Sequence, residues 1–165
     1  MKIFTATVCF LLKDNQVNLA VKTRKIGKDR WNGYGGGTDD EDKDLVTTAV
    51  RELWEESEVW VAPESLRKMA ILEFHNSPGE AGEFMAKVHI YVTHEWTGEP
   101  KPTKEMATPT WFPINDLPLD TMMPADREWL PRVLAGEKLL VWATYGPEQK
   151  YLIGEVIMKE VDNFE

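Results

Sequence analysis

Residues 3–12 and 16–22 are apolar or alternate between apolar and polar positions, β-branched side chains are frequent in them, and the turn-forming set KDNQ joins the two stretches. That pattern predicts two strands of a hairpin-like pair. The five-glycine segment KIGKDRWNGYGGGT follows as a loop around a short extended piece. Residues 45–57 change period: at about 100° per residue, Leu45, Val46, Ala49, Val50 and Leu53 gather on one side, which predicts a helix. Strands are expected at 68–75 and 84–96, a short strand at TWFP and a turn at INDLP. Residues 126–135 predict a second helix stopped by Gly136, although Pro131 removes a hydrogen bond from its interior. Strands at 139–145 and 150–158 end the series. Many strands around two helices give an α/β class with a mixed sheet, and the absence of repeats or linker-like stretches predicts one domain over residues 1–165.

Composition narrows the partners. The 165 residues carry 19 basic and 28 acidic side chains, a net charge of −9, which disfavours a nucleic-acid polymer. No apolar run reaches the roughly 20 residues of a membrane span, and no secretion-signal pattern opens the chain. Cys9 is the single cysteine, so no internal disulfide forms and a cytoplasmic, reducing location is expected.

The charge is concentrated. Between Asp39 and Glu58 stand nine carboxylates and two basic residues, Lys43 and Arg51. Glu52, Glu55 and Glu56 have i, i+3, i+4 spacing and share one helix face, where like charges cost a few tenths of a kcal/mol per pair. A hard divalent cation, Mg²⁺ or Mn²⁺, removes that penalty; a solvated acidic face is the simpler alternative. A calcium loop counted from Asp40 fails, because its sixth position is Leu45 and its twelfth Arg51.

The segment GTDDEDKDLVTTAVRELWEESEV, residues 37–59, resembles the box of the Nudix hydrolase family, with Gly37, Arg51, Glu52, Leu53, Glu55, Glu56 and Val59 in register. Two positions depart from that box. Lys43 stands where the family has the glutamate that braces the arginine, leaving Asp42 or Asp44 to brace Arg51. Glu58 stands where the family has glycine, and a side chain in a left-handed cap costs about 1 kcal/mol, so a different helix ending is expected. The segments VKTRKIGKDRWNGYGG, EMATPTWFPINDLP and TMMPADREWLPRVL extend the resemblance to the family's MutT-like branch, which hydrolyses oxidised purine nucleoside triphosphates, over most of residues 3 to about 157.

The resemblance implies an α/β/α sandwich around a mixed sheet and a monomeric enzyme of nucleotide-pool sanitation. Mg²⁺ or Mn²⁺ would be held by Glu52, Glu55, Glu56, Glu105 and the backbone carbonyl of Gly36 or Gly37. Arg51 joins the catalytic set, with Glu52, Glu56 and Glu105 as candidate bases. Thr7, Lys22, Asn32, Met106, Met123 and Asp126 are implied at the substrate, with 8-oxo-dGTP the type of nucleotide. Met123 replaces a stacking tryptophan and Ala125 the first of two aspartates, which weakens the expected preference for oxidised guanine. A nucleoside diphosphate-linked substrate such as a nucleotide sugar is the alternative, and a non-catalytic nucleotide-binding module is the alternative of another class. Trp31, Trp111 and Trp129 read as core or pocket edge; His75, His89 and His94 show no metal spacing.

Overall fold

Strand β1 (Lys2–Lys13) turns at Asp14 and Asn15, both in the left-handed region, into β2 (Gln16–Lys22), as the KDNQ signal predicts. The computed structural model describes residues 1–80 and 82–165. The glycine-rich loop contributes two short strands, β3 (Trp31–Asn32) and β4 (Tyr34–Gly37). Helix α1 (Leu45–Ser57) leads to β5 (Arg67–Asn76) and β6 (Phe84–Thr93), then β7 (Met106–Pro113), α2 (Asp126–Leu134), β8 (Leu139–Tyr145) and β9 (Ile157–Glu160).

The sheet runs β3-β2-β1-β6-β5-β8-β9, with β4 also pairing β1 and β7 pairing β2. The β1–β6 and β5–β8 pairs are parallel and the remaining ladders antiparallel. Alternation then divides the core. Phe10, Leu19, Leu72 and Ile90 pack with Trp129, Leu130 and Val133 of α2, whereas Cys9, Leu11, Tyr34 and Met106 pack with Leu53 of α1. One helix on each side of a mixed sheet gives the expected α/β/α sandwich. Among the described residues no helix is long and apolar enough to cross a membrane.

Helix α1 begins and ends for local reasons. The Asp44 carboxylate accepts from the Thr47 amide at 2.8 Å and caps the first turn. At the other end Glu58 adopts φ 59° and ψ 28°, and its N–H reaches the Trp54 carbonyl at 2.8 Å. The expected change of ending does not occur: Glu58 takes the left-handed cap that glycine takes elsewhere, and accepts the steric cost. Pro131 sits six residues into the nine-residue α2, where it removes one interior hydrogen bond, and Gly136 stops the helix at φ 99°.

Three boundaries differ from the sequence pattern. β6 ends at Thr93, whose hydroxyl accepts from the Glu95 amide and turns the chain. TWFP is the end of a longer strand that starts at Met106 and is kinked at Thr108 (φ 48°), opposite the register shift between Leu19 and Val21. The strand expected over 150–158 is confined to Ile157–Glu160, because Pro147 opens a tight turn and Gly154 has φ 77°.

Candidate active site

The face of α1 that turns inward is not purely apolar. Thr48, Ala49, Leu53, Glu56 and Ser57 are its buried residues, and Glu56 is only 8% exposed. A solvated acidic face is therefore excluded for this carboxylate. Its Oε1 accepts from the Gly35 amide at 2.8 Å. Glu52 lies one turn earlier against Gly36: a Cβ there would stand 2.5–2.7 Å from the Glu52 carboxylate atoms. Strand β4 is held this close because Gly35 and Gly36 pair with Val8 and Thr7 of β1, beneath the helix. Burial pushes the Glu56 carboxyl up to about 7, and burial also raises Glu52.

Arg51 ties the outer edge together. Its Nε and Nη2 donate to Asp42 Oδ1 and Oδ2 at 3.1 and 2.8 Å, and Nη2 also reaches the Gly37 carbonyl at 3.1 Å. Nη1 donates to Glu52 at 2.9 Å and to Glu55 at 3.2 Å. Asp42 is thus the brace and Asp44 the helix cap, which settles the choice left by Lys43. Hydrogen bonds from Arg51 hold the Asp42 carboxyl well below the usual range.

A groove of about 640 Å³ opens over these carboxylates, walled on its other side by Lys22, Arg24, Lys25, Thr103 and Glu105. Arg24 pairs with both oxygens of Glu105, and that pairing lowers the carboxyl's pKa. Lys22 donates to the Ile26 carbonyl at 2.7 Å; burial lowers its pKa, with Glu56 opposing the shift. The donor set is oxygen only, two of its carboxylates are raised by desolvation, and Gly36 leaves a cradle that a Cβ would fill. Those features fit a hard divalent cation. Among the described residues no three acidic, histidine or cysteine side chains close into a finished cage. Arg51 lies between Glu52 and Glu55, and Arg24 holds Glu105 to the opposite wall.

A second cavity, of about 120 Å³, lies on the α2 side of the sheet. Asn32, Asp126, Met123, Trp129, Tyr145 and Gln149 line it with apolar strand residues. Asn32 Oδ1 accepts from the Gly33 amide at 2.8 Å, leaving its NH₂ as a donor. Asp126 is 5% exposed and accepts from Trp129 Nε1 at 2.9 Å; burial pushes its carboxyl up to about 7. At Ala125 the backbone N–H donates to the Tyr145 oxygen at 2.9 Å. A cleft of about 670 Å³ borders both hollows, sharing Lys25 with the groove and Met123 and Gln149 with the cavity.

Two of the expected substrate residues lie elsewhere. Thr7 is wholly buried beside Gly36 in the β1–β4 ladder, and Met106 packs with Cys9, Leu11 and Leu53 beneath α1; neither lines the cavity. Strand alternation explains Thr7, since its neighbour Val8 takes the cavity side. Trp31 stacks edge-on with Phe112 at 4.8 Å, while Trp129 borders the cavity. Two residues escaped the sequence reading. Arg24 was signalled only by the basic run KTRK, and Gln149 by nothing in its own segment.

This arrangement, a glycine strand folded onto an arginine-braced acidic helix in an α/β/α sandwich, defines a class, and the sequence pattern described as the NUDIX domain matches residues 2–133. The chain belongs to the NUDIX family. It is 32% identical over 160 residues to the oxidized purine nucleoside triphosphate hydrolase of Mus musculus, covering 96% of each chain. It is 34% identical over 134 residues to the protein of that name in Danio rerio, covering 81% of each. Its fold is similar to that of a MutT protein from Bacillus halodurans, with a TM-score of 0.73 at 20% identity over 94% of this chain and 97% of the other.

Proposed function

We propose that the chain is a divalent-metal-dependent pyrophosphohydrolase that splits oxidised purine nucleoside triphosphates into a monophosphate and pyrophosphate. The observation that carries this reading is a pair of hollows bordered by one cationic cleft: half-buried Glu52 and buried Glu56 in the groove, and a mostly apolar cavity with Asn32 and Asp126 on the other side. The names of the mouse and zebrafish relatives support the same substrate class.

Glu52, Glu55, Glu56, Glu105 and the carbonyl of Gly36 or Gly37 are the residues that would hold Mg²⁺ or Mn²⁺, which supplies charge neutralisation at phosphate oxygens when bound. Glu56 is the best-placed base of the three candidates, being buried and anchored by the Gly35 amide. Arg51 orients Glu52 and Glu55, while Lys22, Arg24 and Lys25 form the cationic wall along which a triphosphate chain aligns. Asn32, Met123 and Asp126 contact the base. Hydrolysis adds water across one P–O–P link, with the hydroxyl on one phosphorus and the proton on the leaving oxygen.

The net charge of −9 supports a free nucleotide as substrate in preference to a polymer. The lone buried Cys9 suits a cytoplasmic setting. A second reading, a nucleoside diphosphate bearing another group, is favoured by one observation. A cleft of about 670 Å³ with Lys25, Lys28, Arg30 and Lys150 in its walls shares Met123 and Gln149 with the base cavity.

The test is a Mg²⁺-supported assay of normal and 8-oxo purine triphosphates, dinucleoside polyphosphates and nucleotide sugars. Pyrophosphate from the oxidised triphosphates, at the highest kcat/KM of the panel, is expected. Turnover confined to nucleotide sugars, or none at all, overturns the proposal.

A further inference from the structure

The loop after β8 carries a polar side chain into the base cavity with its hydrogen-bonding sense already fixed. Asn76, at the end of β5 and 1% exposed, donates through Nδ2 to the carbonyls of Phe74 and Phe84 at 3.0 and 3.4 Å. Carbonyl oxygens only accept, so the amide cannot be turned around without losing both bonds. Asn76 Oδ1 therefore faces Gln149, whose Nε2 donates to it at 2.5 Å. That leaves Gln149 Oε1, which has no hydrogen-bond partner among the described residues, as the free end of a side chain at the boundary of the cavity and the neighbouring cleft.

The backbone accepts a cost to put it there. Glu148 and Gln149 both have left-handed φ values, 59° and 56°, a conformation L side chains adopt rarely. The turn is pinned on both flanks. Glu148 Oε1 accepts from the Glu80 amide at 2.7 Å, and the Gln149 amide donates to the Gly146 carbonyl at 3.1 Å.

The polar inventory of the cavity then holds one group fixed as an acceptor. Asn32 offers NH₂ and Tyr145 its O–H as donors, Asp126 has one carboxyl oxygen beyond its bond to Trp129 that accepts or donates with its protonation, and Gln149 adds a carbonyl that only accepts. Where Ala125 provides no side-chain group, the added one is an acceptor. Resting on the function proposed above, we propose that Gln149 reads the base, its carbonyl selecting oxidised purines that carry an exocyclic amino group over those that lack one.

Three substrates separate the possibilities: 8-oxo-dGTP with a 2-amino group, 8-oxo-dATP with a 6-amino group, and 8-oxo-dITP with neither. The parent should turn over at least one amino-bearing substrate about tenfold better in kcat/KM than 8-oxo-dITP, as expected of a buried hydrogen bond made or left unmade. In Gln149→Met, which keeps the length of the side chain and removes its carbonyl, that ratio should fall to within about threefold. The ratio is taken within one preparation, so it does not depend on how much of the variant is folded. A parent without such a preference, or a ratio unmoved in Gln149→Met, overturns the assignment to Gln149 while leaving the hydrolase reading intact. No pyrophosphate from any of the three overturns that reading and this inference with it.

Discussion

Asp42 holds Arg51 by two parallel bonds, Oδ1 to Nε at 3.1 Å and Oδ2 to Nη2 at 2.8 Å, across nine residues of chain. The same Oδ2 also accepts from the Thr48 hydroxyl and the Asp39 amide, so the loop before α1 folds around this carboxylate. A planar guanidinium fixed from one side presents its remaining nitrogen to Glu52 and Glu55. Asp42→Asn should lower kcat by about 10–100-fold, the usual scale for losing a residue that orients cation ligands. Lys43→Ala, beside it but exposed, should leave kcat within about threefold. Steady-state kinetics on both variants decides; equal losses would place the brace elsewhere.

The three consecutive glycines of β4 should separate fold from function. A Cβ at Gly35 would fall 1.8 Å from the Thr7 carbonyl oxygen, a backbone atom that cannot yield, so Gly35→Ala should fail to fold. At Gly36 the obstacle is the Glu52 carboxylate, the movable end of a side chain. Gly36→Ala should keep its melting transition and lose activity by about 100-fold or more, on the scale of a displaced catalytic carboxylate. At Gly37 the nearest atom is 3.8 Å away, and alanine should be tolerated. Thermal melts beside turnover numbers test the order, and an active Gly36→Ala enzyme would contradict it.

Glu56→Gln preserves shape and removes the ability to accept a proton. Turnover should fall by about 10²–10⁴-fold, the contribution typical of a positioned general base. Folding should survive, because the amide oxygen still accepts from Gly35. Activity within about threefold of the parent would remove Glu56 from the base role.

Asp126 makes stability depend on pH. Its carboxyl titrates near 7 in the folded chain against 3.8 for a free side chain. Between those values the native state keeps a proton that the unfolded state has released, so stability declines as pH climbs and levels off above about 7. The decline between pH 5 and 8 is on the order of 2–3 kcal/mol for this group. Asp126→Asn, which retains an acceptor for Trp129 Nε1, should lose that component. Urea denaturation of parent and variant at the two pH values measures it, and identical slopes in both proteins would rule the effect out.

Most of the scaffold is legible in the amino-acid sequence. The 3.6 period of Leu45, Val46, Ala49 and Leu53 marks α1 to its observed limits, whereas the cap at Asp44 and the left-handed Glu58 at the other end emerge only from the fold. The end of the chain is not legible, since YLIGEVIMKE has strand-like composition throughout and only the turns at Pro147 and Gly154 decide where pairing begins. Within the site, the spacing of Glu52, Glu55 and Glu56 is visible in the sequence, and the structure folds two of them inward against β4. The choice between Asp42 and Asp44 depended on which carboxylate the helix end claims. Gln149 was invisible for a different reason: its meaning comes from Asn76, 73 positions away.

Turning Glu52 and Glu56 toward β4 leaves two carboxylates desolvated side by side, with Glu52 repelling the buried Glu56. Whatever neutralises that pair binds the native chain in preference to the opened one, and so tightens α1 against its strands. On the proposed function, a divalent cation held there would raise the melting temperature of the chain as well as support its turnover.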